Sequence, residues 1–372
     1  MIIKYLRLCT LLLILLFPAI KNNAQDNFER AKIISVERIW DRGGHNAFTD
    51  LVNFNNTFYC VFREGIGHTP KIGDHAMING TIRMLASKDG ENWVSVAHIF
   101  EKDVDLRDPK LTITPDNRLM ILMGGSVYNG KHFKSSRGRV CFYYPENGAL
   151  SKIQEINIDK KIRTGGDWLW NITWHNGTAY GVVYQGRKNA LNKYSAHLVK
   201  STDGINYEYV SSLEIETSPT EADVKFLDDG RMVIIIRGKK GEIGVSTAPY
   251  KKWEWNTLPV PLGGPELIVL KNGKLICATR EYIENDARRT ILAEVTLDGG
   301  FKRLVTLPSS GDTSYPGMVI KDGILYVTYY SSHEGQTTIY TANREKKIGK
   351  TSIYLAKIWV DELKLFKVKG DL

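Results

Sequence analysis

Apolar, β-branched and aromatic residues occur along this chain in short runs that polar turns separate. The runs come in pairs joined by a tight turn, and four of the six turns are Asn-Gly or Asp-Gly, which tolerate the positive φ of a two-residue hairpin. The six turns are Asn55–Thr57, Asp116–Arg118, Asn176–Gly177, Asp229–Gly230, Asn272–Gly273 and Asp322–Gly323. They recur every 43 to 61 residues, the size of a propeller blade, with no convincing amphipathic helix between them. The pattern predicts an all-β fold, a six-bladed β-propeller with four-stranded antiparallel blades.

A ring closure and a recurrent turn agree with this prediction. Segments 33–40 and 352–359 have strand character and are expected to close the ring between the first and last blades, which protects strand edges. Residues 87–93 fit the S-x-D-x-G-x-x-W pattern of the Asp-box, and residues 201–207 repeat it with Tyr in place of Trp. In such a turn the Asp side chain accepts backbone N–H groups and Gly allows the left-handed conformation. Both turns are therefore predicted to be structural, between outer strands.

The first 24 residues are typical of a secretory signal peptide. Lys4 and Arg7 precede an apolar run at residues 8–20, and a small-residue cleavage point follows it. The run is shorter than the roughly 20 residues that span a bilayer. We therefore expect residues 25–372 to form a single propeller domain that is periplasmic or secreted, monomeric and not inserted in a membrane.

Charge and cysteine content narrow the classes of partner. Removing the three Lys and Arg residues of the leader lowers the formal charge from +9 to +6, and this modest excess suits an anionic substrate. The basic residues are scattered, which argues against nucleic acid. Cys60, Cys141 and Cys277 each lie in an apolar run and are predicted to be buried thiols. Neither a metal-ligand spacing nor a phosphate-binding loop is present, so no metal and no cofactor are expected.

Charged and aromatic side chains are concentrated at one mouth of the predicted ring. In each blade the start of the first strand and the end of the second emerge on the same face. Second-strand ends carry Arg63, Arg237, Arg280 and Tyr330, and first-strand starts carry His45, Asn46, Arg107, Asp108, Trp168, Glu221, Glu266 and Tyr315. Arginine forks bind carboxylate, sulfate or phosphate, and a Trp ring can stack on a sugar. The alternative is that the arginines pair with neighbouring glutamates and only tie the blades together.

In order and approximate spacing these residues resemble the sialidase (neuraminidase) superfamily, in particular its bacterial propellers with Asp-box (BNR) repeats. The resemblance implies that Tyr315 is a nucleophile, that Glu221 is its base, and that Arg237 and Arg280 bind a substrate carboxylate. It also implies that Arg63 contacts the sugar ring. Sialic acid bears a carboxylate on its anomeric carbon, which repels an anionic nucleophile, and sialidases accordingly use a tyrosine. A glutamate that takes the phenolic proton activates a group with a pKa of about 10.

Two positions depart from the family pattern. His45 and Asn46 stand where sialidases have the first arginine, and residues 79–81 read Asn-Gly-Thr where the acid/base aspartate is expected. An amide cannot transfer a proton. The candidates for this role are Asp50, His68, Asp74 and His75, of which His68 is also a candidate for substrate binding.

Three functional hypotheses follow from this pocket. The first is an exo-acting glycoside hydrolase for terminal sialic or other acidic sugars. The second is a propeller glycosidase for a uronic acid or a neutral sugar. The third is a glycan-binding relative without catalytic activity. All three have a carbohydrate as the partner.

Overall fold

The computed structural model describes residues 31–67, 70–72, 77–130, 132–185, 195–283, 287–341 and 344–360. These residues form antiparallel sheets arranged as a six-bladed propeller, which confirms the predicted fold. No helix that is long and apolar enough to cross a membrane occurs among them.

The chain enters the propeller through β1 (Ala31–Trp40) and then builds the blades in sequence, each from the axis outward. Blade 1 contains β2 (His45–Phe54), β3 (Thr57–Gly65), β6 (Thr81–Ser87) and β7 (Val94–Ile99), with a small hairpin of β4 (Lys71–Ile72) and β5 (Met77–Ile78). Blade 2 contains β8 (Asp105–Ile113), β9 (Leu119–Asn129), β10 (His132–Tyr144) and the short β11 (Ala149–Leu150) and β12 (Gln154–Glu155). Blade 3 contains β14 (Asp167–His175), β15 (Thr178–Gln185), β16 (Ala196–Ser201) and β17 (Asn206–Leu213), with β13 (Asn157–Ile158) parallel to β17.

The second half of the chain is more regular. Blade 4 contains β18 (Ala222–Phe226), β19 (Met232–Ile236), β20 (Glu242–Ser246) and β21 (Glu254–Thr257). Blade 5 contains β22 (Gly263–Val269), β23 (Leu275–Tyr282), β24 (Arg288–Val295) and β25 (Phe301–Thr306). Blade 6 contains β26 (Thr313–Lys321), β27 (Ile324–Ser331), β30 (Ser352–Val360) and finally β1, with a side hairpin of β28 (Gln336–Thr341) and β29 (Arg344–Gly349).

The ring is closed within blade 6, where the first and the last described strands pair. β1 and β30 run antiparallel from the Ala31–Val360 pair to the Trp40–Ile353 pair. Because β1 is the outermost strand of blade 6 and leads directly into the inner strand of blade 1, it holds the two ends of the ring together. The predicted closure by these two segments is confirmed.

Hydrophobic cores lie between neighbouring blades. Blades 1 and 2, for example, share a cluster that includes Val61, Met84, Leu106 and Ile121, all nearly inaccessible to solvent. Burial of apolar surface at about 25 cal/mol per Å² makes such interfaces the main source of stability. The thiols of Cys60, Cys141 and Cys277 are buried in these cores and form no disulfide, as predicted.

The two Asp-box turns have the predicted structural role. Asp89 Oδ1 accepts hydrogen bonds from the backbone N–H groups of Glu91 and Asn92 at 2.9 and 2.8 Å, and Gly90 has a φ of +74°. Asp203 makes the equivalent contacts in blade 3. These hydrogen bonds stabilise the carboxylate, and although partial burial opposes them, the pKa of Asp203 is lowered to about 2. Both turns join the third and fourth strands of a blade, away from the axis.

The inner strands of five blades share one irregularity that determines which side chains reach the axis. A β-bulge interrupts the pairing of each of these strands with its neighbour, between Ala47 and Asp50 in blade 1 and at matching places in blades 2, 3, 5 and 6. Residues in four of these bulges have left-handed backbone: Phe48 (62°), Asp108 (50°), Gly264 (56°) and Tyr315 (51°). A bulge bends its strand and re-aims a side chain, so these positions are directed differently from the regular residues around them.

Candidate active site

A cavity of about 440 Å³ opens on the axis at the mouth where the inner strands begin. Its wall includes three bulge residues, Phe48, Asp108 and Tyr315, together with Glu221. Blades 2 and 3 provide the remaining lining residues, which are Arg107, Ser126, Tyr128, Phe133, Ser136, Gly166, Trp168 and Tyr184. Five of the residues expected from the sequence at this mouth therefore line one cavity: Arg107, Asp108, Trp168, Glu221 and Tyr315.

Tyr315, Glu221 and Arg237 form a hydrogen-bonded group at this cavity. The Tyr315 hydroxyl donates to Glu221 Oε1 at 2.8 Å. Arg237 Nη1 donates to both Glu221 oxygens at 2.9 and 3.0 Å and lies 3.2 Å from the Tyr315 hydroxyl oxygen. Glu221 and Arg237 flank the inner hairpin of blade 4, whereas Tyr315 comes from blade 6. The ring closure thus brings together residues that are 78 to 94 positions apart.

The environment of the Tyr315 phenol favours its protonated form. Burial raises the pKa of Tyr315 well above its usual value, and the charge of Glu221 raises it further, while Arg237 and Arg280 act in the opposite direction. The carboxylate of Glu221 is the acceptor of the phenolic hydrogen bond. A weak nucleophile with an adjacent carboxylate base and a cation beside both is the arrangement expected for an activated tyrosine.

The Tyr315 ring is held on several sides. Its ring centroid lies 4.9 Å from that of Phe48 and 5.3 Å from that of Trp170, both in edge-to-face geometry. Thr49 Oγ1 donates a hydrogen bond of 2.7 Å to the Tyr315 carbonyl oxygen. On the remaining side the backbone of Gly264 approaches so closely that a Cβ there would lie 2.5 Å from Tyr315 Cγ. The position of the hydroxyl is therefore fixed by packing before any substrate enters.

Arg280 and Tyr330 lie next to this group but are engaged by the protein itself. The guanidinium carbon of Arg280 is 5.1 Å from the centroid of the Tyr315 ring. Arg280 Nε donates to the Thr313 carbonyl at 2.7 Å, and its Nη2 donates to the Tyr330 hydroxyl at 2.8 Å. Both side chains are almost completely buried.

The Asp312 carboxylate is the centre of this second group. Its Oδ1 accepts from the Tyr330 hydroxyl at 2.9 Å and lies 3.7 Å from Arg280 Nη2. Its Oδ2 lies 2.9 Å from His45 Nε2. An acidic side chain of the protein itself thus lies between His45, a predicted substrate-binding residue, and Arg280, which was expected to bind a substrate carboxylate together with Arg237. The sequence places Asp312 at the start of an inner strand without indicating its role, and it gives no signal for Tyr282, whose hydroxyl accepts from Arg237 Nη2 at 3.1 Å.

Arg63 has a place different from the predicted one. Its side chain is 1% exposed, and its Nη2 donates to Asp105 Oδ1 at 2.7 Å. The same carboxylate oxygen accepts from the Gly80 backbone N–H at 2.5 Å. Arg63 therefore joins blades 1 and 2 behind the cavity and does not reach a sugar in it. The alternative interpretation of the arginines as ties between blades holds here, with Asp105 as the partner.

Asn46 is also structural. It is fully buried, its backbone N–H donates to Thr351 Oγ1 and its Nδ2 donates to the Thr351 carbonyl, both at 2.7 Å. These bonds attach the start of the first inner strand to the last blade. The expectation that Asn46 binds substrate is corrected accordingly, because its side chain faces blade 6.

Asp50 and Glu266 belong to a buried charge network on the axis, two positions beyond the bulges. Lys110 Nζ lies 3.5 Å from Asp50 Oδ1 and 3.2 Å from Glu266 Oε2. Lys225 Nζ lies 3.6 Å from Glu266 Oε1 and 2.9 Å from Asp223. Because Asp50 also accepts from the Leu111 backbone N–H and is only 4% exposed, it fastens blade 1 to blade 2. Neither carboxylate is among the residues that line the cavity, so the acid/base role of Asp50 and the binding role of Glu266 remain predictions from the sequence.

The remaining candidates lie outside the described residues, namely His68, Asp74 and His75. Within the described ranges, no group of three or more His, Cys, Asp and Glu side chains could hold a metal ion. The chemistry that the described cavity can perform thus rests on two carboxylates, a tyrosine, two arginines and several aromatic rings.

Comparison with known proteins shows the fold and leaves the family open. No protein-family model and no curated protein sequence matches the chain. A solved structure of a protein of unknown function from Dyadobacter fermentans is 17% identical, has a TM-score of 0.70, and covers 89% of this chain and 99% of its own. A Penicillium chrysogenum alpha-L-arabinanase complexed with arabinobiose is 12% identical, with a TM-score of 0.62 over 87% of this chain and 98% of its own.

A Trypanosoma rangeli sialidase mutant displaying trans-sialidase activity is 15% identical, with a TM-score of 0.59. The match covers 87% of this chain and 55% of that longer protein. The predicted resemblance to sialidase propellers is therefore confirmed at the level of the fold.

Proposed function

We propose that the protein is an exo-acting retaining glycoside hydrolase in which Tyr315 is the nucleophile and Glu221 is its base. The observation that carries this proposal is the 2.8 Å hydrogen bond from the Tyr315 hydroxyl to Glu221, with Arg237 beside both and the cavity in front of them. The sialidase and the arabinanase with the same fold support a carbohydrate substrate. The ion pairs of Lys110 with Asp50 and Glu266 join the inner strands of blades 1, 2 and 5 across the axis, which favours a terminal sugar over a chain that passes through.

In the first step the Tyr315 oxygen attacks the anomeric carbon while Glu221 takes the phenolic proton. The glycosidic bond breaks, and the leaving oxygen receives a proton from an acid, so the aglycone departs as an alcohol. In the second step a water molecule gives that proton back to the same group and attacks the anomeric carbon. The Tyr315 oxygen leaves and recovers its proton from Glu221, which restores the starting state.

The substrate class that the cations favour is a sialic or other acidic sugar. Arg107 lines the cavity, and the Arg237 side chain is 30% exposed beside the nucleophile. Each guanidinium has donors for a carboxylate, and in a partly desolvated cavity such charge-assisted hydrogen bonds are stronger than neutral ones. A neutral tyrosine nucleophile is also suited to an anomeric carbon that bears a carboxylate, because this carboxylate repels an anionic nucleophile.

A second candidate is a glycosidase for a neutral sugar, and the observation that favours it is the engagement of Arg280 and His45 by Asp312. With this carboxylate in place, the local positive charge is already balanced. A panel of aryl glycosides that contains a sialoside, uronides and neutral sugars separates the two. Turnover of the sialoside or a uronide supports the acidic class, and turnover of neutral glycosides alone supports the second.

The mechanism is tested by Y315F and E221Q, with Y207F as the matched control. Tyr207 is a buried tyrosine of blade 3 whose hydroxyl has no hydrogen-bond partner, so its loss leaves the cavity unchanged. We expect Y315F to abolish turnover, E221Q to lower kcat by about 10²–10⁴-fold, and Y207F to retain activity. Full activity of Y315F on the substrate that the wild type cleaves would refute the proposed nucleophile.

A further inference from the structure

The acid that protonates the leaving oxygen has to be a second group in the cavity, because Glu221 is already hydrogen-bonded to Tyr315 and Arg237. Among the residues that line the described cavity, the carboxylates are Glu221 and Asp108. We propose that Asp108 is the general acid and, in the second step, the general base. This assignment rests on the proposed function.

The bulges give Asp108 and Tyr315 equivalent places in different blades. Each is in the bulge of an inner strand, with φ values of 50° and 51°, and each is followed by a proline. The inner strands of blades 2 and 6 pack on the two sides of the inner strand of blade 1. Asp108 and Tyr315 therefore reach the same cavity from two blades, with Phe48 of blade 1 between them. Such a placement lets one group act on the anomeric carbon and the other on the leaving oxygen.

The neighbouring aspartate cannot take this role. Asp105 is fully buried, and its Oδ1 accepts from Arg63 and from the Gly80 backbone N–H. The regular strand thus directs Asp105 into the interface with blade 1, whereas the bulge directs Asp108 to the cavity. Within the segment from 105 to 108, one carboxylate stabilises the interface between blades and the other belongs to a residue that lines the cavity.

The charge of Asp108 acts on the reacting groups. Burial and the charge of Glu221 are the main causes that raise the pKa of Tyr184 and of Tyr315, and the charge of Asp108 raises both further. Tyr184 also lines the cavity. Asp108 and Tyr315 line the same cavity, in agreement with this electrostatic interaction. When Glu221 takes the phenolic proton and Asp108 gives its proton to the leaving oxygen, the negative charge in the cavity does not increase.

The test compares D108N with the wild type on a series of glycosides of one sugar whose leaving groups range from alkyl alcohols to dinitrophenol. Loss of a general acid lowers the rate by about 10²–10⁴-fold, and poor leaving groups depend on it most. We therefore expect D108N to lose at least about 100-fold in kcat/KM for alkyl and phenyl glycosides and less than about 10-fold for the dinitrophenyl glycoside. Azide is expected to accelerate turnover of the activated substrate by D108A, with a glycosyl azide as the product. The alkaline limb of the pH–rate profile should also disappear in D108N.

The matched control is D322N, since Asp322 also has a left-handed φ (53°) but lies in a surface turn with its side chain 84% exposed. Unfolding curves of D108N establish that the fold is retained. An equal loss for all leaving groups, or no loss, would overturn the assignment of Asp108 while Y315F remained inactive. Full activity of Y315F would instead overturn the proposed function, and the assignment with it.

Discussion

Gly264 provides a direct test of whether Tyr315 is positioned by the backbone of blade 5. An added Cβ at residue 264 would lie 2.5, 2.6 and 2.8 Å from three atoms of the Tyr315 ring, where ordinary contacts begin at 3.4 Å. The ring would have to move by about 1 Å. It cannot do so without loss elsewhere, because Phe48 and Trp170 pack against it and its hydroxyl is bonded to Glu221. A misplacement of this size costs about 10²-fold in rate, so we expect G264A to lose about two orders of magnitude in kcat.

The substitution also has a backbone cost that a control has to remove. Residue 264 has a φ of +56°, and a left-handed alanine costs about 1–2 kcal/mol relative to glycine. Gly273, in the turn of the same blade, has a φ of +78° with no atom within 4 Å of an added Cβ. G273A therefore carries the backbone cost without the clash. Chemical unfolding measures the free energy of each variant, and turnover of the wild-type substrate measures the rate.

The two variants separate the two effects. We expect both to be destabilised, G264A more strongly, and only G264A to lose activity while folded. If G264A and G273A had the same kcat, the packing of Gly264 against Tyr315 would have no part in positioning the nucleophile.

Three further predictions concern the axis, the acidic group beside Arg280 and the leader. Burial raises the pKa of Asp50 to about 7, although the charge of Lys110 acts in the opposite direction. The folded state therefore retains a proton that the unfolded state loses near pH 4. As a result, the contribution of this group to the free energy of unfolding falls as the pH rises from about 4 to 7. D50N, which stays neutral, should gain stability relative to the wild type over that interval, by at most roughly 1.4 kcal/mol per pH unit; a constant difference in unfolding free energy would contradict this. Removing the Asp312 side chain leaves Arg280 without its carboxylate partner. At equal ionic strength, acetate should therefore raise the Tm of D312A more than the Tm of the wild type. Equal shifts in Tm would show that no anion site is exposed. Intact-mass measurement after expression in a secreting host should show loss of residues 1–24; a full-length product would contradict a cleaved leader.

The blades were predictable from the sequence because a hairpin repeat is a local signal. Each of the six turns joins the first and second strands of one blade, and equivalent positions in different blades then meet at the axis. This logic predicted that Glu221, Arg237 and Tyr315 would come together, although 78 and 94 residues separate the tyrosine from the other two. No single contact had to be known, since the closed ring places all strand starts at one mouth.

Side-chain direction at the mouth was not predictable in the same way. Arg63, Arg237 and Arg280 all lie in or directly after the last residues of the second strand of a hairpin. Yet Arg63 is buried against Asp105, Arg237 is bonded to Glu221 beside the cavity, and Arg280 is engaged by Tyr330 and the Thr313 carbonyl. In a strand the side chains alternate between the two faces of the sheet, so a shift of one residue turns a side chain to the opposite face. Counting residues from the turn therefore could not distinguish Arg63 from Arg237.

The bulges nevertheless leave a trace in the sequence, which is a proline directly after the left-handed residue. A proline has no N–H for a β-ladder and is tolerated in a strand at a bulge. Asp108, Gly264 and Tyr315 each precede a proline, and each has left-handed backbone in a bulge. Left-handed backbone in a residue as bulky as tyrosine is strained, and such strain persists where the surrounding structure holds it in place. The contacts of Phe48, Trp170 and Gly264 hold the Tyr315 ring. The strained backbone thus belongs to the arrangement in which a largely buried tyrosine lines the cavity with its hydroxyl bonded to Glu221.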